Sequence, residues 1–222
     1  LFIAATTITS VAIAIMLAEI SNKWVKKITQ SIVILPHFMS WTIVSMLSVA
    51  ILSANGVVNQ LITMVGGKTI EFYNTPSVWP AILVILKVWQ GAGFGSIVYL
   101  ATITGIDASI YEAAAVDGAS KTQCIFKVTL PMLKNTIIML TIMSVGKIFN
   151  GDFGMIYAMV GSNSILYPTT DVIDTYLFRQ LLENPSMGQT AAVGLIQSIL
   201  GFGFVVLCNK VANKWSPESA LF

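Results

Sequence analysis

Two lysines stand inside otherwise apolar stretches, Lys87 in "ILKVWQGAGFG" and Lys147 in "SVGKIFNGDFG". Trp89 and Gln90 follow the first, and Asn150 and Asp152 follow the second. An ammonium, an amide and an indole face together suit a polyhydroxylated ligand such as a sugar, and an ionisable group within an apolar span marks a functional site by default. Two lysines facing one ligand would favour an anionic one. Structural alternatives stay open for both: Lys87 could snorkel to an interface, and Lys147 could pair with Asp152, about one and a half helical turns on.

Other reactive residue types form no catalytic pattern. His37 is the one histidine, placed beside Pro36 in an apolar run, and reads as interface packing rather than as the base of a triad. Gly67-Lys68-Thr69 imitates the end of a phosphate-binding loop, but the glycine required five residues before Gly67 is replaced by Ile62. Cys124 and Cys208 are too few for a zinc site and, on the side of the membrane assigned below, should be reduced packing residues. No metal, catalytic residue or cofactor is expected in this chain.

Composition explains the setting. Of 222 residues, 55% are hydrophobic and 10% charged, and mean hydropathy is +0.81, whereas soluble domains carry roughly 25% charged residues. A span of about 20 apolar residues crosses the hydrocarbon layer, and five windows qualify: residues 1–18, 31–54, 80–104, 135–160 and 190–209. Each must be helical, because lipid cannot satisfy open backbone groups. The expectation is therefore an all-α polytopic membrane protein.

Lysine placement orients it. Lys23, Lys26, Lys27, Lys121, Lys127, Lys134, Lys210 and Lys214 share one side, against Lys68 and Arg179 on the other, with Lys87 and Lys147 assigned to spans. The lysine-rich side is cytoplasmic. On this topology the first span runs from outside to inside. The chain opens on Leu1 within an apolar run, so a further, preceding span is expected.

The connecting segments sort accordingly. Residues 55–79, with Gly66-Gly67 and Pro76, suit an external loop with an interfacial helix, and residues 161–189, with Pro168, Pro185, Asp171, Asp174 and Glu183, suit a second, with a short helix over 174–182. Gly91 and Gly95, and Gly194, Ser198 and Gly201, form small-residue stripes that fit packing within the chain better than an interface between subunits.

The cytoplasmic segment "YEAAAVDGASKTQCIFKVTLP", residues 111–131, is a polar island between two spans. Ser109 and Glu112 have capping-box spacing, with Asp107 as a rival N-cap; Gly118 suits a left-handed C-terminal cap; Ser120 and Gln123 form a second capping box. Two short helices bent at Gly118 are expected, the second breaking or kinking at Pro131. Such an alanine-rich pair fits a groove on another protein, although Glu112 as a plain cap and Asp117 as a solvated acid would serve a purely structural role equally well.

Glu112-Ala113-Ala114, three residues, Gly118, nine residues, Val128, one residue and Leu130-Pro131 resemble the EAA signature of binding-protein-dependent ABC importer permeases, with valine where the family usually has isoleucine. "ILPHFMSW", "NGVVNQL", "GFGSIVYLATITGIDASIYEAAAVDGA" and "AAVGLIQSILGF" extend the resemblance, which favours the carbohydrate and polysaccharide branch and covers nearly the whole chain.

The resemblance implies a type I, MetI-like permease fold with five of six spans present, and one transmembrane domain over residues 1–222 that contains a coupling loop at 107–131. Glu112, Ala113, Ala114, Asp117, Gly118, Leu130 and Pro131 would couple to two cytoplasmic ABC ATPases, which bind the ATP and magnesium. Further implied partners are a second permease, related but not identical, an extracellular or periplasmic solute-binding protein, an oligosaccharide and membrane lipid. The implied setting is a bacterial cytoplasmic membrane, and no nucleic-acid partner is expected. The competing functions are import of another solute class and a membrane scaffold for a cytoplasmic protein.

Overall fold

The computed structural model describes residues 1–183 and 187–215; Pro185 lies outside the described residues. The described residues form helices and turns only. Five helical stretches are long and apolar enough to cross a membrane: Phe2–Glu19, Trp41–Met64, Pro76–Thr104, Lys121–Val145 and Gly188–Lys214.

In chain order the helices are α1 (Phe2–Glu19), α2 (Lys23–Ile34), α3 (Trp41–Leu52), α4 (Val57–Met64), α5 (Trp79–Thr104), α6 (Ala108–Val116), α7 (Lys121–Cys124), α8 (Leu130–Val145), α9 (Phe153–Val160), α10 (Tyr167–Thr170), α11 (Ile173–Glu183) and α12 (Met187–Trp215). They gather into two compact units. One comprises Leu1–Phe38, Lys87–Gly146 and the chain from Gly201; the other comprises Met39–Leu86 and Lys147–Leu200.

The first unit is organised around α5. Its core joins Val11, Ala14 and Leu17 of α1 to Tyr99, Leu100 and Ile103 of α5 and Leu133 of α8. Close approach depends on glycine and serine. A Cβ on Gly93 would lie 1.9 Å from the Val33 carbonyl oxygen of α2, and one on Gly95 would lie 2.7 Å from Ser10 Oγ of α1. Ser10 Oγ donates to the Ala92 carbonyl at 3.0 Å. Small residues thus bring backbones together where lipid offers no hydrophobic drive for helix association. The Gly91–Gly95 stripe packs within the chain as expected, since Gly91 also faces Thr6 of α1. The second stripe divides: Gly201 meets the Gly146 carbonyl, whereas Gly194 has nothing within 4 Å.

The second unit contains the two segments that the sequence reading places outside. Asn59 is 1% exposed and holds the turn after α4, its Nδ2 donating to the carbonyls of Ser53 and Ile70 while its Oδ1 accepts from the Ile70 N–H. Asn163 Nδ2 donates to the Tyr73 carbonyl, and Thr169 Oγ1 to the Pro76 carbonyl, which ties the two loops together. The expected helices appear as α4 and α11.

Two span boundaries differ from the sequence reading. The apolar window 31–54 is not one helix: Pro36 interrupts the ladder, residues Leu35–Phe38 form a 3₁₀ turn, and α3 starts only after Ser40, whose hydroxyl accepts from the Ile43 N–H. The window 135–160 is also divided. Here α8 stops at Val145, residues 146–150 turn, and Asp152 caps the separate helix α9 by accepting from the Met155 N–H. Lys147 therefore stands outside the span, exposed on a turn.

Gly93→Val should destabilise the first unit by about 2 kcal/mol or more, because the opposing group is backbone and cannot rotate away. Gly203→Ala, where nothing lies within 4 Å, should be neutral or slightly stabilising. Thermal unfolding in detergent distinguishes the two.

Candidate functional site

The polar island forms a bent pair of helices. Asp107 caps α6, its carboxylate accepting from the Ser109 N–H at 2.9 Å. That hydrogen bond with a partial positive helix end lowers the pKa of the Asp107 carboxyl below its ordinary value. The expected Ser109–Glu112 capping box gives way to this cap, which leaves Glu112 exposed on the helix surface.

The bend at Gly118 is a Schellman turn. The Ala119 N–H donates to the Ala114 carbonyl and the Gly118 N–H to the Ala115 carbonyl, with Gly118 at φ +76°. Immediately afterwards Ser120 and Gln123 form the expected capping box: Ser120 Oγ accepts from the Gln123 N–H, and Gln123 Oε1 accepts from the Ser120 N–H.

Pro131 does not break the second helix. A π-helical stretch, Ile125–Thr129, lies between α7 and α8, and the Leu130 N–H donates to the Ile125 carbonyl. The wider turn re-spaces the carbonyls that proline would otherwise crowd. The whole run from Lys121 to Val145 consequently stays helical.

Side chains fasten this assembly on one side and leave it open on the other. Tyr111 Oη and Thr129 Oγ1 lie 3.0 Å apart, joining α6 to the π stretch. Thr102 and Thr136 hydroxyls meet at 3.3 Å, joining α5 to α8. Tyr111 and Thr129 also line a cavity of about 290 Å³ with Glu19, Lys26 and Thr104. On the open side Glu112, Ala113, Asp117 and Gly118 are exposed, and Val116 is 88% exposed. Leu130 packs against the buried core, whereas Pro131 is exposed.

The sequence missed the Tyr111–Thr129 tie, which has no local spacing signature. An aromatic hydroxyl in an otherwise small-residue helix was the available hint.

The path candidates fall into two groups. Lys87 and Gln90, three residues apart on α5, share a face and are half-buried. Trp89 projects about 200° around the helix from Lys87 and is exposed. Asn150 and Asp152 lie with Lys147 on the turn before α9. That turn is held by Asp174, which accepts from the Gly151 N–H at 2.6 Å and from Gln197 Nε2 at 3.2 Å. Gln197, 7% exposed, donates from the same nitrogen to the Phe149 carbonyl.

A cavity of about 460 Å³ opens beside the turn, lined by Ile148, Phe149, Gly151, Asp171, Val172 and Tyr176 among others. Arg179 pairs with Asp171 and lies 3.9 Å over the Tyr167 ring. The guanidinium's hydrogen bonds hold the Asp171 carboxyl below its ordinary pKa, and the carboxylate raises that of Arg179. Among the described residues no cluster of histidine, cysteine and acidic side chains could hold a metal ion.

Residues 10–215 match the family described as binding-protein-dependent transport system inner membrane component. Over 209 residues the chain is 32% identical to the polygalacturonan/rhamnogalacturonan transport system permease protein YteP of Bacillus subtilis (strain 168), covering 94% of this chain and 64% of the relative. It is 31% identical over 207 residues to Protein LplB of the same organism, covering 93% and 64%. The chain thus spans just under two thirds of the length of these relatives. A solved chain from the bacterial alginate ABC transporter in complex with alginate pentasaccharide-bound periplasmic protein superposes with TM-score 0.89 at 34% identity, covering 95% of this chain and 73% of that one.

Because the Asp171 pKa is depressed on folding, its pairing with Arg179 stabilises the protein above the ordinary carboxylate pKa and ceases to do so as pH falls through the folded value. Asp171→Asn should lower stability at pH 7 by about 1 kcal/mol or less, given the partial exposure of the pair. The gap to the wild-type protein should close as pH drops below 3.8. Parallel thermal melts across pH check this.

Proposed function

The chain belongs to the family of binding-protein-dependent transport system inner membrane components, and on that premise we propose that it is the permease subunit of an ATP-driven importer of oligosaccharides. The observation that carries the mechanism is the bent helix pair: α6 ends in a Schellman turn and exposes its small-residue face, while Tyr111 and Thr129 tie it to the helix leading into α8. A helix held in this way transmits displacement to the spans instead of absorbing it.

In this reading residues 107–131 form the coupling loop of a single transmembrane domain. Glu112, Ala113, Ala114, Asp117 and Gly118 seat in a groove of a cytoplasmic ATPase. Leu130 anchors the segment to the core, and Pro131 stands beyond the π turn. ATP and magnesium bind to two ATPase subunits, so this subunit contributes no covalent step. A second permease, related but not identical, completes the path, and an extracellular or periplasmic binding protein delivers cargo. The complex lies in the bacterial cytoplasmic membrane.

Closure of the ATPases moves α6 and biases the spans between outward-open and inward-open states, because nucleotide binding favours one state over the other. Cargo moves by alternating access past sites near the middle of the bilayer.

Two features support an anionic oligosaccharide as cargo. Lys87 with Gln90, and the Lys147–Asp152 turn beside its cavity, offer cationic and amide groups. The relatives whose names state a substrate class include polygalacturonan/rhamnogalacturonan and alginate transporters. Trp89, on the opposite side of α5 from Lys87, is not brought together with the Lys87–Gln90 pair.

Reconstitution with the neighbouring permease, ATPases and binding protein tests the mechanism. Gly118→Val forces a β-branched residue to φ +76° without steric contact, so the subunit should still assemble. Oligogalacturonate uptake should fall by about tenfold or more, with hydrolysis uncoupled from transport. Wild-type uptake and stimulation in that variant would sink the coupling role. A complex that hydrolyses ATP in response to a different solute would instead reassign the cargo.

A further inference from the structure

We infer that the cavity at the root of the polar island holds the headgroup of an anionic phospholipid of the phosphatidylglycerol type. The cavity measures about 290 Å³. At the liquid share of about 30 Å³ per water it has room for about ten non-hydrogen atoms, the size of a phosphoglycerol group.

Its lining asks for an anion and for hydrogen-bond donors. Glu19 closes α1 and Lys26 stands one turn into α2, and both line the cavity with Thr104, Tyr111 and Thr129, while Ile103 forms part of its apolar side. Lys26 is half-buried and Glu19 exposed. Among the described residues neither side chain has an ion-pair or hydrogen-bond partner, so ammonium and carboxylate share the cavity without closing on each other. The neighbouring hydroxyls are engaged already: Thr104 Oγ1 donates to the Ala101 carbonyl, and Tyr111 and Thr129 meet at 3.0 Å. A phosphodiester on Lys26, with glycerol hydroxyls donating to Glu19, satisfies both charged groups.

Flanking charge selects an anion over a zwitterion. Lys23 lies one turn before Lys26 on the same side of α2, Lys27 follows, and Glu19 is the one acid of α1 and α2. Glu112, beside Tyr111 in sequence, projects about 100° away around α6. An ethanolamine headgroup also offers donors but carries no net charge, and basic pockets between helices on the lysine-rich side bind anionic headgroups.

The acyl chains have a place on α1. Ile8, Ala12 and Met16 are exposed and, at i, i+4 and i+8, form a stripe that leads to Glu19. Ile8 and Met16 are 70% and 69% exposed. From Ile8 to Glu19 the stripe runs about 16 Å, half of a hydrocarbon layer about 30 Å thick and therefore the depth of one leaflet.

Position gives this lipid a consequence. Tyr111 and Thr129, which tie α6 to the π stretch, form one wall of the cavity, so a headgroup held between Lys26 and that wall braces the tie. This second part rests on the coupling role proposed above.

Competition labelling tests the site in the complete transporter, assembled with its neighbouring permease, ATPases and binding protein in phosphatidylcholine nanodiscs. A phosphatidylglycerol probe with a photoreactive headgroup should label the segments lining the cavity, residues 15–26 or 103–111. Excess phosphatidylglycerol should cut that labelling about fivefold or more, whereas phosphatidylethanolamine and soluble glycerol phosphate should leave it within about twofold. Lys26→Gln should lose about fivefold, while Lys26→Arg, and Lys134→Gln on the exposed surface of α8, should stay within about twofold. Wild type should prefer phosphatidylglycerol to phosphatidylmethanol, which has the same charge but no diol, and Glu19→Leu should erase that preference. A photo-crosslinking side chain at Met16 should capture lipid.

Labelling outside the cavity, equal displacement by phosphatidylethanolamine or glycerol phosphate, undiminished labelling of Lys26→Gln, or capture of a protein segment from Met16 overturns the site. The wild-type competition decides it whichever variants assemble. Uptake per ATP hydrolysed should fall about threefold in pure phosphatidylcholine and recover as phosphatidylglycerol is added. Specific labelling with lipid-independent uptake overturns the bracing role alone, whereas a wild-type complex that imports oligosaccharide in no lipid refutes the import reading beneath it.

Discussion

Lipid supplies no hydrophobic force to press one apolar helix against another, so the first unit relies on backbone contact, concentrated on α5. The missing side chains of Gly93 and Gly95 let the Val33 carbonyl and the Ser10 hydroxyl reach its surface, and Ser10 adds a hydrogen bond to the Ala92 carbonyl. Everything else in that unit is positioned from this contact. It fixes α2 beside α5, sets His37 over Phe94, and holds the core of Val11, Ala14, Tyr99 and Ile103 from which α6 emerges. Van der Waals packing of this kind is short-ranged and intolerant of a single added methyl group.

In the proposed coupling role the polar island acts as a lever against that fixed support. Its bend depends on one left-handed residue, Gly118, and on two hydrogen bonds from successive N–H groups. Its upper end is fastened by two hydroxyls, those of Tyr111 and Thr129. The π stretch preceding Pro131 then keeps the helix continuous into α8, so a push on α6 meets no loose joint on the way to the span. Glu112, Ala113, Ala115 and Asp117 are exposed on the island's free face, where the proposed ATPase would seat.

Much of this was legible in the sequence because the signals are local. Gly118 in the left-handed region, the Ser120–Gln123 box and the helix at 173–183 all follow from residues within one turn of each other. The spans as a class follow from hydropathy. The boundaries were not legible where one physical rule overrode another. Hydropathy alone fused α2 to α3 across Pro36 and α8 to α9 across the Gly146–Asp152 turn, because both breaks lie among apolar residues. At the start of α6, two caps of equal local plausibility competed and Asp107 prevailed. The His37–Phe94 stack and the Asp174–Gln197 network join residues far apart in sequence, and no spacing rule reports such pairs.

The mechanism turns on α6 being seated on an ATPase and driving the spans from there. A photo-crosslinking side chain placed at Val116, 88% exposed on α6, tests it in the purified complex, with the same group at exposed Leu207 on α12 as a control. Val116 should capture the ATPase subunit, and Leu207 should not. A complex that imports sugar yet yields no ATPase adduct from Val116 would contradict this mechanism.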